Sequence, residues 1–235
     1  MAALTMHIVQ DIITKLVTPQ KILDVGTGTG IWAIEMGDEY PSAEVIGTDL
    51  SPIQPGWVPP NVRFEIDDAT QEWDYPEESA LKPGGHIELS ECRTHMECDD
   101  GTYPVESWTY KWIEEFNNIS HSNGMIFDMF PNFAGLLRGG RFENVEVFEQ
   151  PCPIGVWPKD KKLKEMGRAF RASFLDGALD SFSLALFTRF ADWTPEEVQV
   201  LLAHVREEIR SNKMHVYTHC SYATAQKPMR YINHD

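Results

Sequence analysis

The sequence predicts an α/β fold: a mostly parallel sheet with helices on both faces. Three observations carry this. Lys21–Asp49 reads as strand, glycine-rich turn, helix, strand, acid, the order of a nucleotide-binding βαβ unit of Rossmann-like type. Short apolar or alternating runs at Val62–Ile66, His86–Ser90, Phe142–Glu149 and His215–Ala223 add four strands, for six in all. Helical periodicity fills most of what lies between them. A single domain, 1–235, is expected, with 151–193 as a helical insertion or lid. Such insertions at the carboxyl ends of parallel strands open onto the ligand crevice.

The first strand is Ile22, Leu23 and Val25, read as buried, and glycines follow at 26, 28 and 30. A dinucleotide fingerprint, G-x-G-x-x-G, would need its third glycine at position 31, which is Ile31. Asp24-x-Gly26-x-Gly28-x-Gly30, with Asp49 ending the second strand, instead resembles motif I of class I S-adenosylmethionine-dependent methyltransferases. The blander reading is a βα turn that needs glycine only for its backbone angles. The resemblance implies that the glycines admit the methionine part of S-adenosyl-L-methionine and that Asp49 binds the ribose hydroxyls. An acid after the third strand would meet the adenine amino group. Asp68 is the candidate and Asp67 the alternative, and a solvated acidic turn is the competing reading. The full cofactor set implied is Asp24, Gly26, Thr27, Gly28, Gly30, Asp49, Leu50, Asp67, Asp68 and Ala69.

The remaining elements follow in order. Leu4–Val17 has the apolar spacing of an amphipathic helix. Ser51–Pro60 holds four prolines, which exclude a regular helix. Tyr103–Arg138 reads as two helices with an aromatic stripe, Trp108, Trp112, Phe116, then Phe130 and Phe133; such a stripe is ordinarily core. Lys159–Ala191 is helical. Thr194, Pro195 and Glu197 form a capping box ahead of Val198, Leu201, Leu202, Val205 and Ile209.

ILDVGTGTGIWAIE, GTDLSPIQPGWVPPNVRFEIDDA, LKPGGHIEL, WPKDKKLKEMGR and SLALFTRFADWTPEEVQVLL, in this order, resemble the fungal LaeA-like methyltransferases from Lys21 onward. The resemblance implies S-adenosylmethionine binding, a role around fungal secondary metabolism, and a regulatory role in the nucleus for some members. One departure matters: the fourth-strand region is missing. Only Thr70–Ala80 separates Ala69 from Leu81, too few residues for a strand and its crossover helix. The expectation is that His86–Ser90 takes the vacant slot and pairs with Ile22–Val25. The sheet order would then be third strand, second, first, His86–Ser90, closing strand, Phe142–Glu149.

Charge narrows the partners. With 20 Lys+Arg against 36 Asp+Glu the net charge is −16, which disfavours nucleic acid and anionic lipid. A small-molecule or protein methyl acceptor, neutral or cationic, fits better. No signal peptide or membrane span is read, so a cytoplasmic or nuclear location is expected. Cys92-x-x-His95-x-x-Cys98 lacks a second ligand pair, and no metal site is read there. No catalytic base is assigned; Glu88, Glu91, His95 and His121 are candidates that fit structural roles at least as well. A methyltransferase-like binding protein with weakened turnover is the competing function.

Overall fold

The computed structural model describes residues 19–69, 71, 81–125, 127 and 129–229. The helix expected at Leu4–Val17 and most of Thr70–Ala80 fall outside them. The chain divides into two compact units, Ala2–Lys82 and Pro83–Asp235.

The first unit holds β1 (Lys21–Val25), β2 (Glu44–Asp49) and β3 (Val62–Ile66), parallel and in the order β1-β2-β3. The α1 helix (Ile31–Glu39) crosses from β1 to β2, as a parallel pair requires. Its Ala33 and Met36 pack with Val45 and Val62 in one apolar cluster. The Asn61 amide closes the carboxyl end of α1 by donating to the carbonyls of Gly37, Tyr40 and Ala43 at 3.0, 3.2 and 3.0 Å. Helix ends leave such carbonyls without intrahelical partners.

The second unit holds β4 (His86–Cys92), β5 (Glu143–Pro153) and β6 (Tyr217–Gln226), antiparallel and in the order β4-β6-β5. Its helices are α2 (Trp108–Ser122), α3 (Phe130–Gly139), α4 (Lys161–Ser173), α5 (Leu179–Phe190) and α6 (Pro195–Ser211), with a π-helical turn, Phe174–Ala178, joining α4 to α5. Strand alternation turns Ile87, Leu89, Ala223 and Ala225 toward Phe133 and Leu137 of α3. The capping box at Thr194 and Glu197 is formed. The Glu208 carboxylate of α6 accepts the first amides of α2, Trp108 and Thr109, at 2.9 and 2.8 Å. A negative group there complements the helix dipole. The aromatic stripe is core at Trp112 and Phe116, both buried, and the indole N–H of Trp112 donates to Ser183 at 2.9 Å.

The expected slot exchange is not made. The six strands form two sheets; β4 makes the expected pairing with the closing strand, β6, and no ladder joins it to β1. Each half of the expected order is present, third-second-first and His86–Ser90, closing strand, Phe142–Glu149; the junction between them is not. Each unit completes its own ladders, β1-β2-β3 in the first and β4-β6-β5 in the second, and β4 gains its pairing and the packing of Ile87 and Leu89 within its own unit.

Candidate functional site

The parallel sheet of the first unit brings three turns to its carboxyl edge. After β1 the chain turns through Gly26, Gly28 and Gly30, with φ of 74°, 57° and 77°. Only glycine adopts these angles routinely. The turn hangs from β2 by two amides, Gly26 and Thr27, both donating to the Thr48 carbonyl at 2.9 Å. The Thr27 hydroxyl reaches back to Asp24 at 2.6 Å. Burial pushes the Asp24 carboxyl above its ordinary range; the Thr27 bond opposes this and the nearby Asp49 charge adds to it.

Asp49 ends β2 and spans the turn. Its Oδ2 accepts the Gly28 amide and its Oδ1 the Ser51 amide, each at 2.9 Å. Gln54, from the proline-rich loop, donates to the Gly28 carbonyl at 2.6 Å and to the Ser51 carbonyl at 2.9 Å. Asp67 follows β3 and donates its amide to the Asp49 carbonyl at 3.1 Å. Gln71 donates to the Asp68 carbonyl at 2.9 Å, closing the turn that also carries Ala69. Asp24, Gly26, Thr27, Gly28, Gly30, Asp49, Leu50, Asp67, Asp68 and Ala69 therefore all belong to the last residues of these strands or the turns after them.

The glycines are not equivalent. A Cβ on Gly26 or Gly28 would meet nothing within 4 Å, whereas one on Gly30 would come within 2.3 Å of the Phe64 ring. Gly30 makes room for the chain's own packing. Gly26 and Gly28 leave backbone open to an approaching ligand. Val25, Leu50 and Ile66, at or just past the ends of β1, β2 and β3, are exposed at 44%, 66% and 69%.

Gln54 was not singled out by sequence reasoning, which saw only the prolines around it. Phe64 had a legible signal: a glycine inside a strand, Gly47, marks close approach, and a Cβ there would lie 2.7 Å from both Phe64 and the Thr27 hydroxyl.

The candidate bases all lie in the second unit. The Glu91 carboxylate accepts the Phe130 amide at 2.8 Å and so anchors the start of α3. His95 and His121 are exposed. Glu88 is buried enough that its carboxyl is pushed up to about 7, and its Oε2 has no hydrogen-bond partner among the described residues. The Cys92-x-x-His95-x-x-Cys98 residues turn to different neighbours: Cys92 lies 2.7 Å from Cys220, and Cys98 bonds Asp100 at 3.2 Å.

A glycine turn, an acid ending the second strand and an acidic third turn lie on one parallel carboxyl edge, the arrangement of the nucleotide half of a class I methyltransferase. Residues 1–80 match a family model described as a methyltransferase domain. The chain is 38% identical over 232 residues to Methyltransferase pytC of Aspergillus terreus, covering 88% of this chain and 71% of that protein. It is 32% identical over 238 residues to the Secondary metabolism regulator LAE1 of Cochliobolus heterostrophus, covering 89% and 77%. It is 28% identical over 247 residues to the Protein-methionine methyltransferase laeA of Emericella nidulans, covering 91% and 64%. That last alignment is longer than this chain of 235 residues, so the relative carries residues with no counterpart here. In fold the chain resembles Haemonchus contortus phosphoethanolamine N-methyltransferase 2, determined in complex with S-adenosyl-L-methionine, at a TM-score of 0.51 and 16% identity, covering 95% of this chain and 52% of that one. The chain belongs to the LaeA-like family of fungal S-adenosylmethionine-dependent methyltransferases.

Among the described residues no helix is long and apolar enough to cross a membrane.

Proposed function

We propose that this chain binds S-adenosyl-L-methionine over Gly26–Gly30 and transfers its methyl group to an acceptor in fungal secondary metabolism. The observation that carries the reading is the glycine turn: left-handed at each glycine, with open space over Gly26 and Gly28 and the Asp49 carboxylate across it. Gly26 and Gly28 would face the methionine portion. Asp49 accepts one amide on each oxygen, and each oxygen retains a lone pair for a ribose hydroxyl. Asp68, or Asp67 beside it, would receive the adenine amino group. The exposed Val25, Leu50 and Ile66 offer apolar surface to the flat base. When bound, the sulfonium supplies an electrophilic methyl group; holding the acceptor in line with it contributes much of the rate.

The acceptor is a small molecule or a protein, and the charge of −16 favours a neutral or cationic one. The same reading treats 1–235 as one methyltransferase domain, 151–193 as its helical lid, and the cytoplasm or nucleus as its location. Calorimetry with S-adenosyl-L-methionine tests the pocket, and one-site binding is expected; its absence overturns the reading. Transfer of a radiolabelled methyl group to fungal extract, separated into small-molecule and protein fractions, identifies the acceptor class. The shortened Thr70–Ala80 segment favours a second reading, a binding or regulatory partner with weakened turnover. Tight cofactor binding with no label transferred would select it.

A further inference from the structure

The second unit contains an apolar cavity that the cofactor reading does not use. Its volume is about 80 Å³, inside a void of about 620 Å³ that includes open solvent. It arises from one break in a stripe. Phe170, Phe174, Ala178 and Phe182 follow each other four residues apart along α4, the π-turn and α5, and all line the cavity. Three are phenylalanine and the fourth, at the end of the π-turn, is alanine. The missing ring leaves the hole, and Trp112 and Phe116 of α2 form part of the facing wall. π-turns inside α-helices occur frequently at functional sites.

Most of the wall is apolar, and three of its polar groups are turned to partners within the protein. The Trp112 indole N–H is engaged by Ser183 at 2.9 Å. The Thr218 hydroxyl donates to the Arg93 carbonyl at 2.9 Å. The Arg93 guanidinium is paired with Glu149 at 2.7 Å. A mostly apolar recess of this kind favours apolar molecules over water. Phe182 is 42% exposed and marks the mouth.

We infer that this cavity is a binding site for a neutral, apolar, ring-containing small molecule, seated against Ala178 between Phe174 and Phe182. About 10–15 Å³ of such space holds one water-sized group, so the enclosed part fits roughly a single substituted ring. The site stands on the second unit's own residues and does not depend on cofactor binding.

The test uses the full chain with 4-fluorotoluene as probe, followed by ¹⁹F NMR. Saturable one-site binding is expected, with 4-fluorobenzoate at least tenfold weaker. Ala178→Leu restores the missing bulk and should weaken 4-fluorotoluene binding at least tenfold, with the melting transition retained. Should Ala178→Leu fail to fold, Phe182→Gln at the exposed mouth decides, with the same loss expected. Non-saturable binding to the parent protein overturns the inference. So does equal affinity for the benzoate, or unchanged binding in a folded variant. Calorimetry with S-adenosyl-L-methionine on the same samples separates the two readings: lost cofactor binding with retained fluorotoluene binding overturns the cofactor site and leaves this one standing.

Discussion

Asp49→Ala removes one carboxylate from two tasks, and their sizes can be worked separately. In the free protein Asp49 holds the amides of Gly28 and Ser51 at 2.9 Å each. Hydrogen bonds to a charged group contribute about 1.5–3 kcal/mol. Ser51 is exposed, so water replaces most of that bond. The part-buried Gly28 bond dominates, and the expected loss of stability is about 1–3 kcal/mol. With cofactor present, a ribose hydroxyl loses its acceptor as well. A further 1.5–3 kcal/mol, roughly, corresponds to about 10–150-fold in affinity. Asp49→Asn should fall between the parent and alanine in stability, because its one amide oxygen can still accept the Gly28 N–H while its NH₂ faces the exposed Ser51 amide. Urea denaturation measures the first effect and calorimetry with S-adenosyl-L-methionine the second. Unchanged affinity in a folded Asp49→Ala protein refutes the ribose assignment.

Gly30→Ala and Gly28→Ala should separate folding from binding. At Gly30 the new Cβ meets Phe64 at 2.3 Å with φ at 77°, so a loss of about 2–4 kcal/mol is expected from overpacking and left-handed strain together. Gly28→Ala, with no neighbour within 4 Å, should lose only about 1–2 kcal/mol of stability yet bind S-adenosyl-L-methionine at least tenfold more weakly; reversed behaviour in melts and calorimetry would contradict the division. Glu88 has its carboxyl raised by burial from 4.5 to about 7. Such a group binds its proton more tightly when folded, so stability is greatest below about pH 4.5 and falls as pH rises through about 7. That window corresponds to about 3 kcal/mol. Glu88→Gln should gain about that much over the parent near pH 8 and nothing near pH 4.5, and a pH-independent difference in urea stability would count against it. Ser183→Ala leaves the buried Trp112 N–H without its acceptor and should lower stability by about 1–3 kcal/mol in thermal denaturation; a neutral effect would mean that water reaches the indole.

How far the site was legible depended on whether a residue's role is local. The glycines at 26, 28 and 30 and the acid at 49 are marked by backbone angles and a strand end, which recur with fixed spacing; the glycines lie on the expected turn and Asp49 ends the expected strand. The capping box at Thr194 and Glu197 is local for the same reason. Gln54 acts across 26 residues on the Gly28 carbonyl, and nothing in a proline-rich loop announces such a reach. Glu91 looked like a candidate base because it stands at the end of a strand; its partner, the Phe130 amide, lies 39 residues on. The cavity at Ala178 was hidden in a different way. Helical spacing shows which residues share a face; it marked the aromatics of Tyr103–Arg138 as core and Lys159–Ala191 only as helical. It does not show that one alanine among phenylalanines falls in a π-turn and leaves volume unfilled.

The expected sheet failed at a single junction, and the reason limits a common argument. A chain long enough to carry His86–Ser90 beside Ile22–Val25 only permits the pairing. Because β4 is an edge strand of β4-β6-β5, a pairing with β1 would use its other edge and leave the ladder from His86↔Gln226 to Cys92↔Cys220 in place. What β4 gains inside its own unit does not depend on β1: that ladder, the packing of Ile87 and Leu89 with Phe133 and Leu137, and the bond from the Phe130 amide to Glu91 that starts α3. What LKPGG and the alternation after it determine is therefore the local arrangement: β4 beside β6, with the apolar face the two strands share laid against α3.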